Sequence, residues 1–187
     1  MKKITQENFI FMILLVIAAG SRLVQHSWNF TAIMAASFVF AILFRDSKTK
    51  ALMLPVLAML LSDFFISLNS PNFFHSTMAF VYLATGLAIV PFFLNHKTLD
   101  KTLVQVAAIL AGSSIFFIVT NLGVWLMDGM YPMTTSGLIQ CYTMAIPFFQ
   151  NQIAADIIMT PLLLFAMKRV LALDFFQVVI SERNKSA

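Results

Sequence analysis

Apolar positions along the chain fall into six runs, at about 9–23, 30–44, 51–68, 77–94, 103–127 and 146–167, parted by short polar connections. A helix that crosses a bilayer needs about 20 mostly apolar residues, with a range of roughly 17–25. Each run is therefore read as one crossing. The first two are short and extend into their flanks or sit where the bilayer is thinned. Pro55, Pro91 and Pro161 fall inside runs, which membrane bundles tolerate better than soluble helices do. The pattern predicts an all-α membrane protein: a single domain over 1–187, a compact bundle of six transmembrane helices, and a short cytoplasmic tail over 168–187.

Composition supports a bilayer as the solvent. Sixty per cent of the 187 residues are apolar and 11% are charged, against roughly 25% charged in ordinary globular chains. The single cysteine, Cys141, excludes an intramolecular disulfide framework. The net charge of +4 is not a nucleic-acid footprint, because the basic residues form short clusters between apolar runs with no long stripe. Those clusters orient the chain. With the N-terminus inside, Lys2, Lys3, Arg45, Lys48, Lys50, Lys97, Lys101, Lys168, Arg169, Arg183 and Lys185 all fall on the cytoplasmic side. Arg22 alone falls outside, and so strong an asymmetry fits the bias of basic residues toward the cytoplasm. The expected location is the bacterial inner membrane, multi-pass, with both termini cytoplasmic. An alternative reading of the start is a cleaved signal peptide ending near Ala18-Ala19-Gly20, which Glu7 argues against by interrupting the basic segment.

Ionisable residues inside spans are costly and usually carry a role. Arg22, Asp63 and Asp156, with uncharged Asn121, all fall in the outer half of the expected bundle; Asp63 lies roughly 7 Å below the outer end of its run at helical rise. One cation and two carboxylates at similar depth suit pairing. Such a pair is either a staple between helices or the floor of an outward polar cavity. The outer connections favour the cavity. The segment 68–75 is turn-rich, and the connection 128–150 is long for a small bundle, a length that usually signals function. Within it Tyr131-Pro132 starts a turn and Thr134 to Gly137 supply caps or hydroxyl donors. A half-helix is expected over 137–145, with Pro147 breaking it from the last crossing. Trp125, Tyr131 and Tyr142 also fit the commoner use of such rings as interface anchors.

Other chemistries find little support. His26, His75 and His96 fall in connections, which argues against haem held between helices. A metal site from His26, His75 and Cys141 has no recognisable spacing, and a free Cys is more often a small buried hydrophobe. The chain has no G-x-S-x-G and no glycine-rich phosphate loop, so any ATP hydrolysis belongs to another subunit. No cofactor and no enzymatic activity are expected. Ala32 and Ala36 form a small-xxx-small pattern able to seat a partner helix.

Asn121-Leu-Gly-Val-Trp-Leu126, Met130-Tyr-Pro-Met-Thr134 and Gly137-Leu-Ile-Gln-Cys-Tyr-Thr-Met-Ala-Ile-Pro-Phe-Phe149 resemble a family of uncharacterised bacterial membrane proteins, as do Arg22 with Trp28-Asn-Phe-Thr31 and Leu61-Ser-Asp-Phe64. The resemblance covers most of the chain. More loosely, six short helices with an outward polar pocket are similar to the substrate-capture (S) components of energy-coupling factor transporters. That likeness implies a vitamin- or cofactor-like ligand held at the outer side and a separate ATPase and coupling module as partner. The alanine pattern S components use for docking is expected in the first helix, whereas Ala32 and Ala36 lie in the second. The ligand set expected is Arg22, Asn29, Asp63, Asn121, Trp125, Tyr131, Thr134 and Asp156. The alternative is a non-catalytic structural or assembly subunit whose polar residues fix helix packing.

Overall fold

The computed structural model describes residues 2–24, 29–69, 77–94 and 97–172. His26, Trp28, His75, His96, most of the 68–75 connection and the tail beyond 172 lie outside them. The described residues form helices and no strands: α1 (Lys2–Leu23), α2 (Ile33–Leu43), α3 (Lys48–Asn69), α4 (Met78–Leu87), α5 (Val90–Leu94), α6 (Thr102–Met127) and α7 (Thr135–Leu171). Three of them, over Gln6–Leu23, Lys48–Leu68 and Thr102–Met127, are long and apolar enough to cross a membrane; α2 and the Met78–Leu94 stretch are apolar but shorter. The outer faces of the bundle carry exposed Leu103, Ile118, Leu162 and Phe165, a surface suited to lipid.

α2 is the centre. Ten of its eleven residues are buried, and it packs mainly on α1, α3 and α7, with smaller contacts to α5 and α6. The other helices succeed one another around it, α1 on α3, α3 on α4, α4 on α6, and α6 on α7. The core is correspondingly aromatic: Phe38 stacks on Phe92 with centroids 4.6 Å apart, and Phe40 meets the edge of Phe11 at 5.5 Å.

α1 and α3 run parallel. Glu7 pairs with Lys50 at 2.7 Å near one end and Arg22 pairs with Asp63 near the other, so sequence advances in the same direction along both. Arg45 donates to both carboxylate oxygens of Asp100, and Lys48 stands 5.9 Å over the Phe93 ring. These contacts gather the start of α1, the α2–α3 turn and the α5–α6 turn at one end of the molecule. Arg22 lies at the opposite end.

The four prolines inside apolar helical stretches behave differently. Pro91 has no N–H to give the Leu87 carbonyl, and α4 stops at Leu87. The Ala88 amide bonds Ala84 and the Phe92 amide bonds Ile89, so the chain turns and restarts as α5. Pro55, Pro147 and Pro161 stay within continuous helices. The half-helix over 137–145 and the break at Pro147 are therefore replaced by one 37-residue helix, and the long outer loop shrinks to 128–134. One lost hydrogen bond at Pro147 is outweighed by packing on α6, where Phe117 stacks on Phe149 at 4.4 Å and meets Tyr142 at 5.6 Å.

The α4–α5 break is accommodated by Gly112 of α6. A Cβ there would stand 2.4 Å from the Ala88 carbonyl oxygen and 3.1 Å from the Phe38 ring. Gly112→Ala is expected to lower stability by about 1–3 kcal/mol through overpacking, read as a lower melting temperature of the detergent-purified protein; an unchanged melting temperature would mean the two segments separate at little cost.

The Arg45–Asp100 pair gives a pH test. The hydrogen bond from Arg45, and then its charge, hold the Asp100 carboxyl below the ordinary aspartate range. Its contribution is present above the ordinary aspartate pKa and is lost as pH falls through the lowered value. Because the pair is exposed, the difference in melting temperature between wild type and Asp100→Asn should be small at neutral pH. It should disappear in acid; a difference that grows in acid would contradict the pairing.

Candidate ligand-binding site

α2 begins only at Ile33, level with the end of α1, while α3, α6 and α7 continue past it. At 1.5 Å per residue α2 is about 16 Å long and α6 about 39 Å. Above the end of α2 the surrounding helices enclose a cavity of about 440 Å³. Its polar wall includes Arg22, Asn29, Thr85, Gln152 and Asp156, and its apolar wall includes Met34, Met59, Ile66, Val81 and Phe116.

The approach to the cavity is pinned by Ser21. Its hydroxyl donates to the Ala18 carbonyl at 2.7 Å and accepts the Ala32 N–H at 3.0 Å, tying the end of α1 to the start of α2. Between them Asn29 sits at φ 61°, a left-handed conformation that asparagine tolerates better than most residues.

Two polar groups meet here. In the first, Arg22 donates to Asp63 and, at 2.7 Å, to Ser62; Tyr82 donates to the other Asp63 oxygen. Ser62 passes its own hydrogen bond to the Ala58 and Met59 carbonyls. Asp63 is fully buried, whereas the Arg22 side chain keeps 17% exposure toward the cavity. In the second, Asp156 accepts from the Ser113 hydroxyl at 2.6 Å, and Gln152, one turn earlier on the same face of α7, lies within reach of it. Gln152 also donates to the Ser113 carbonyl at 3.5 Å. Asp156 is 1% exposed.

Of the residues expected from sequence, Arg22, Asn29 and Asp156 line the cavity, and Asp63 stands behind Arg22. Asp63, not Asp156, holds the arginine. Asn121, Trp125, Tyr131 and Thr134 are not among the lining residues. Asn121 donates to the Phe117 carbonyl at 2.8 Å, Trp125 donates to the Pro132 carbonyl at 3.0 Å, and Thr134 caps α7 by accepting the Gly137 N–H. Gly137 is required there, since a Cβ would fall 2.0 Å from the Pro132 oxygen. The α6–α7 connection is thus held tight by its own residues. Buried Cys141 donates to the Asn121 carbonyl at 3.4 Å. Among the described residues no three His, Cys, Asp or Glu side chains converge to hold a metal ion, and His26 and His75 lie outside them.

Sequence reading missed Ser62, Tyr82, Ser113 and Gln152. Gln152 carried a signal, being one helical turn from Asp156. The two serines and Tyr82 did not, because nothing in their local sequence separates a second-helix partner from an ordinary polar residue.

Residues 2–178 match the model of a family described as "Family of unknown function (DUF6580)". The chain belongs to this family. No curated protein and no solved structure matches it. Membership in DUF6580 agrees with the likeness to an uncharacterised family and carries no link to S components.

If Arg22 and Asp63 act as a unit in this DUF6580 chain, removing one partner leaves a charge unmatched in the core. Arg22→Met is expected to cost about 3 kcal/mol, the lower end for breaking buried pairs because the arginine is partly exposed. The double variant Arg22→Met/Asp63→Leu should recover much of that loss. Thermal unfolding of both singles and the double decides it, and strictly additive losses would show that the two are not coupled.

Proposed function

We propose that this protein binds a vitamin- or cofactor-like small molecule in the cavity above α2 and serves as the substrate-binding component of an uptake transporter. In this reading the chain crosses the bacterial inner membrane six times, α4 and α5 together making one crossing, with both termini cytoplasmic. The basic turns gathered at the far end from Arg22 then face the cytoplasm, as the distribution of Lys and Arg requires, and the cavity faces outward. A separate ATPase and coupling module would supply the energy, as in S-component systems. No catalytic residue is assigned.

The observation that carries the reading is the cavity itself. A volume of about 440 Å³ falls within the roughly 300–1,000 Å³ of small-molecule pockets, and a mostly apolar wall with a few converging polar groups is their usual make-up. One observation favours a structural or assembly role instead: Arg22, Asp63, Ser62 and Tyr82 satisfy one another within the chain. That network accounts for Asp63 and Arg22; Asp156 and Gln152 join α7 to α6 through Ser113 and also stand on the cavity wall.

Native mass spectrometry of the gently purified protein tests the proposal. A co-purifying small molecule is expected, with its occupancy reduced severalfold in Val81→Trp, which fills the cavity. An empty protein carrying a stoichiometric protein partner would overturn it in favour of the assembly role.

A further inference from the structure

Two ionisable side chains line the cavity, and they are not in the same condition. Arg22 has its counter-charge in Asp63, which is held further by Tyr82. Asp156 has neutral neighbours, the Ser113 hydroxyl and the Gln152 amide. Among the described residues no cation pairs with it, although its burial is almost complete. A buried carboxylate needs a positive partner or a proton to offset its lost hydration. The cavity wall therefore carries one carboxyl group for which the described residues supply no positive partner, together with an apolar surface of Met34, Met59, Ile66, Val81 and Phe116.

Resting on the reading of this cavity as a ligand site, we propose that the ligand is an organic cation: an amine- or amidine-type group seated on Asp156 and an apolar body against the Met and Phe116 wall. The Arg22–Asp63 pair stays intact beside it. An anionic ligand would have to share Arg22 with Asp63 and would add a second negative group beside Asp156 with no further cation in the lining. A bare divalent metal ion would need several oxygen ligands, and Asp156 is the lone carboxylate in the lining. The Phe116 ring adds a face on which a cationic group gains attraction.

The test uses the full-length protein in detergent and three probes that share one indole body: tryptamine (cationic), tryptophol (neutral) and indole-3-propionate (anionic). Calorimetric titration is expected to rank tryptamine tightest. Asp156→Asn, which keeps an acceptor for Ser113, should weaken tryptamine by about 10- to 100-fold, the range for a hydrogen bond to a charged group. The wild-type ranking decides the matter even where that variant fails to fold. Equal binding of tryptophol, or tighter binding of indole-3-propionate that depends on Arg22, would overturn the cation assignment and leave the cavity a ligand site. Where no probe binds, the charge of the co-purified molecule decides: a cation supports the inference, and a neutral or anionic molecule overturns it. With no probe bound and no co-purified molecule, both readings fall.

Discussion

α2 is eleven residues long, and helices of 22 to 37 residues stand around it. Most of the structure follows from that mismatch. α2 carries Ala35, Ala36, Ser37 and Ala41, small residues that let neighbouring helices approach closely, and α1, α3 and α7 close directly on it while α5 and α6 complete the enclosure. Where α2 ends, α3, α6 and α7 continue without a central partner. The space they leave is the cavity, and its floor is the first turn of α2.

The space is stable because the surrounding helices are fixed at both ends. α1 and α3 lie parallel, joined by Glu7–Lys50 at one end and Arg22–Asp63 at the other. The two pairs sit some fifteen residues apart on α1, about 22 Å at helical rise, which resists both sliding and splaying. On the far side α6 closes against α4 through Gly123, where a Cβ would fall 2.5 Å from Phe80, and against α7 through the Phe117 ring. The polar groups serve two ends: Asp63 is used up in holding α1 to α3, and Asp156 is left facing the cavity. Asp156 also ties α7 to α6 through Ser113, but with neutral partners only, so its charge, unlike that of the arginine, has no counterpart among the described residues.

The proline outcomes show how context selects among equal local rules. Pro91 breaks its helix because the displaced Ala88 carbonyl finds room over Gly112. Pro147 does not, because the faces before and after it are both held by α6, and a kink there would separate Tyr142 and Phe149 from Phe117. Removing the expected break also removes most of the expected long outer connection. The 128–134 turn is tied by Trp125, Pro132, Thr134 and Gly137 to itself, so Trp125 and Thr134 work in the turn and not at the cavity.

By itself the sequence determined the all-helical class and four of the six apolar segments to within about three residues; the first and last helices begin earlier than their apolar runs, at Lys2 and Thr135, which sets Asp156 past the middle of α7 and not in its outer half. The class and those four segments follow from local composition, which needs no knowledge of neighbours. The sequence also made pairing of Arg22 with a carboxylate expected. The tertiary structure decided which carboxylate: α3 lies beside α1 and α7 does not, so Asp63 takes the arginine. It decided too that Ser113 and Tyr82 matter, since hydrogen-bond partners on other helices leave no trace at short sequence range. The cavity belongs wholly to the fold, because a void is a property of several helices of unequal length meeting at one place, and no single segment encodes it.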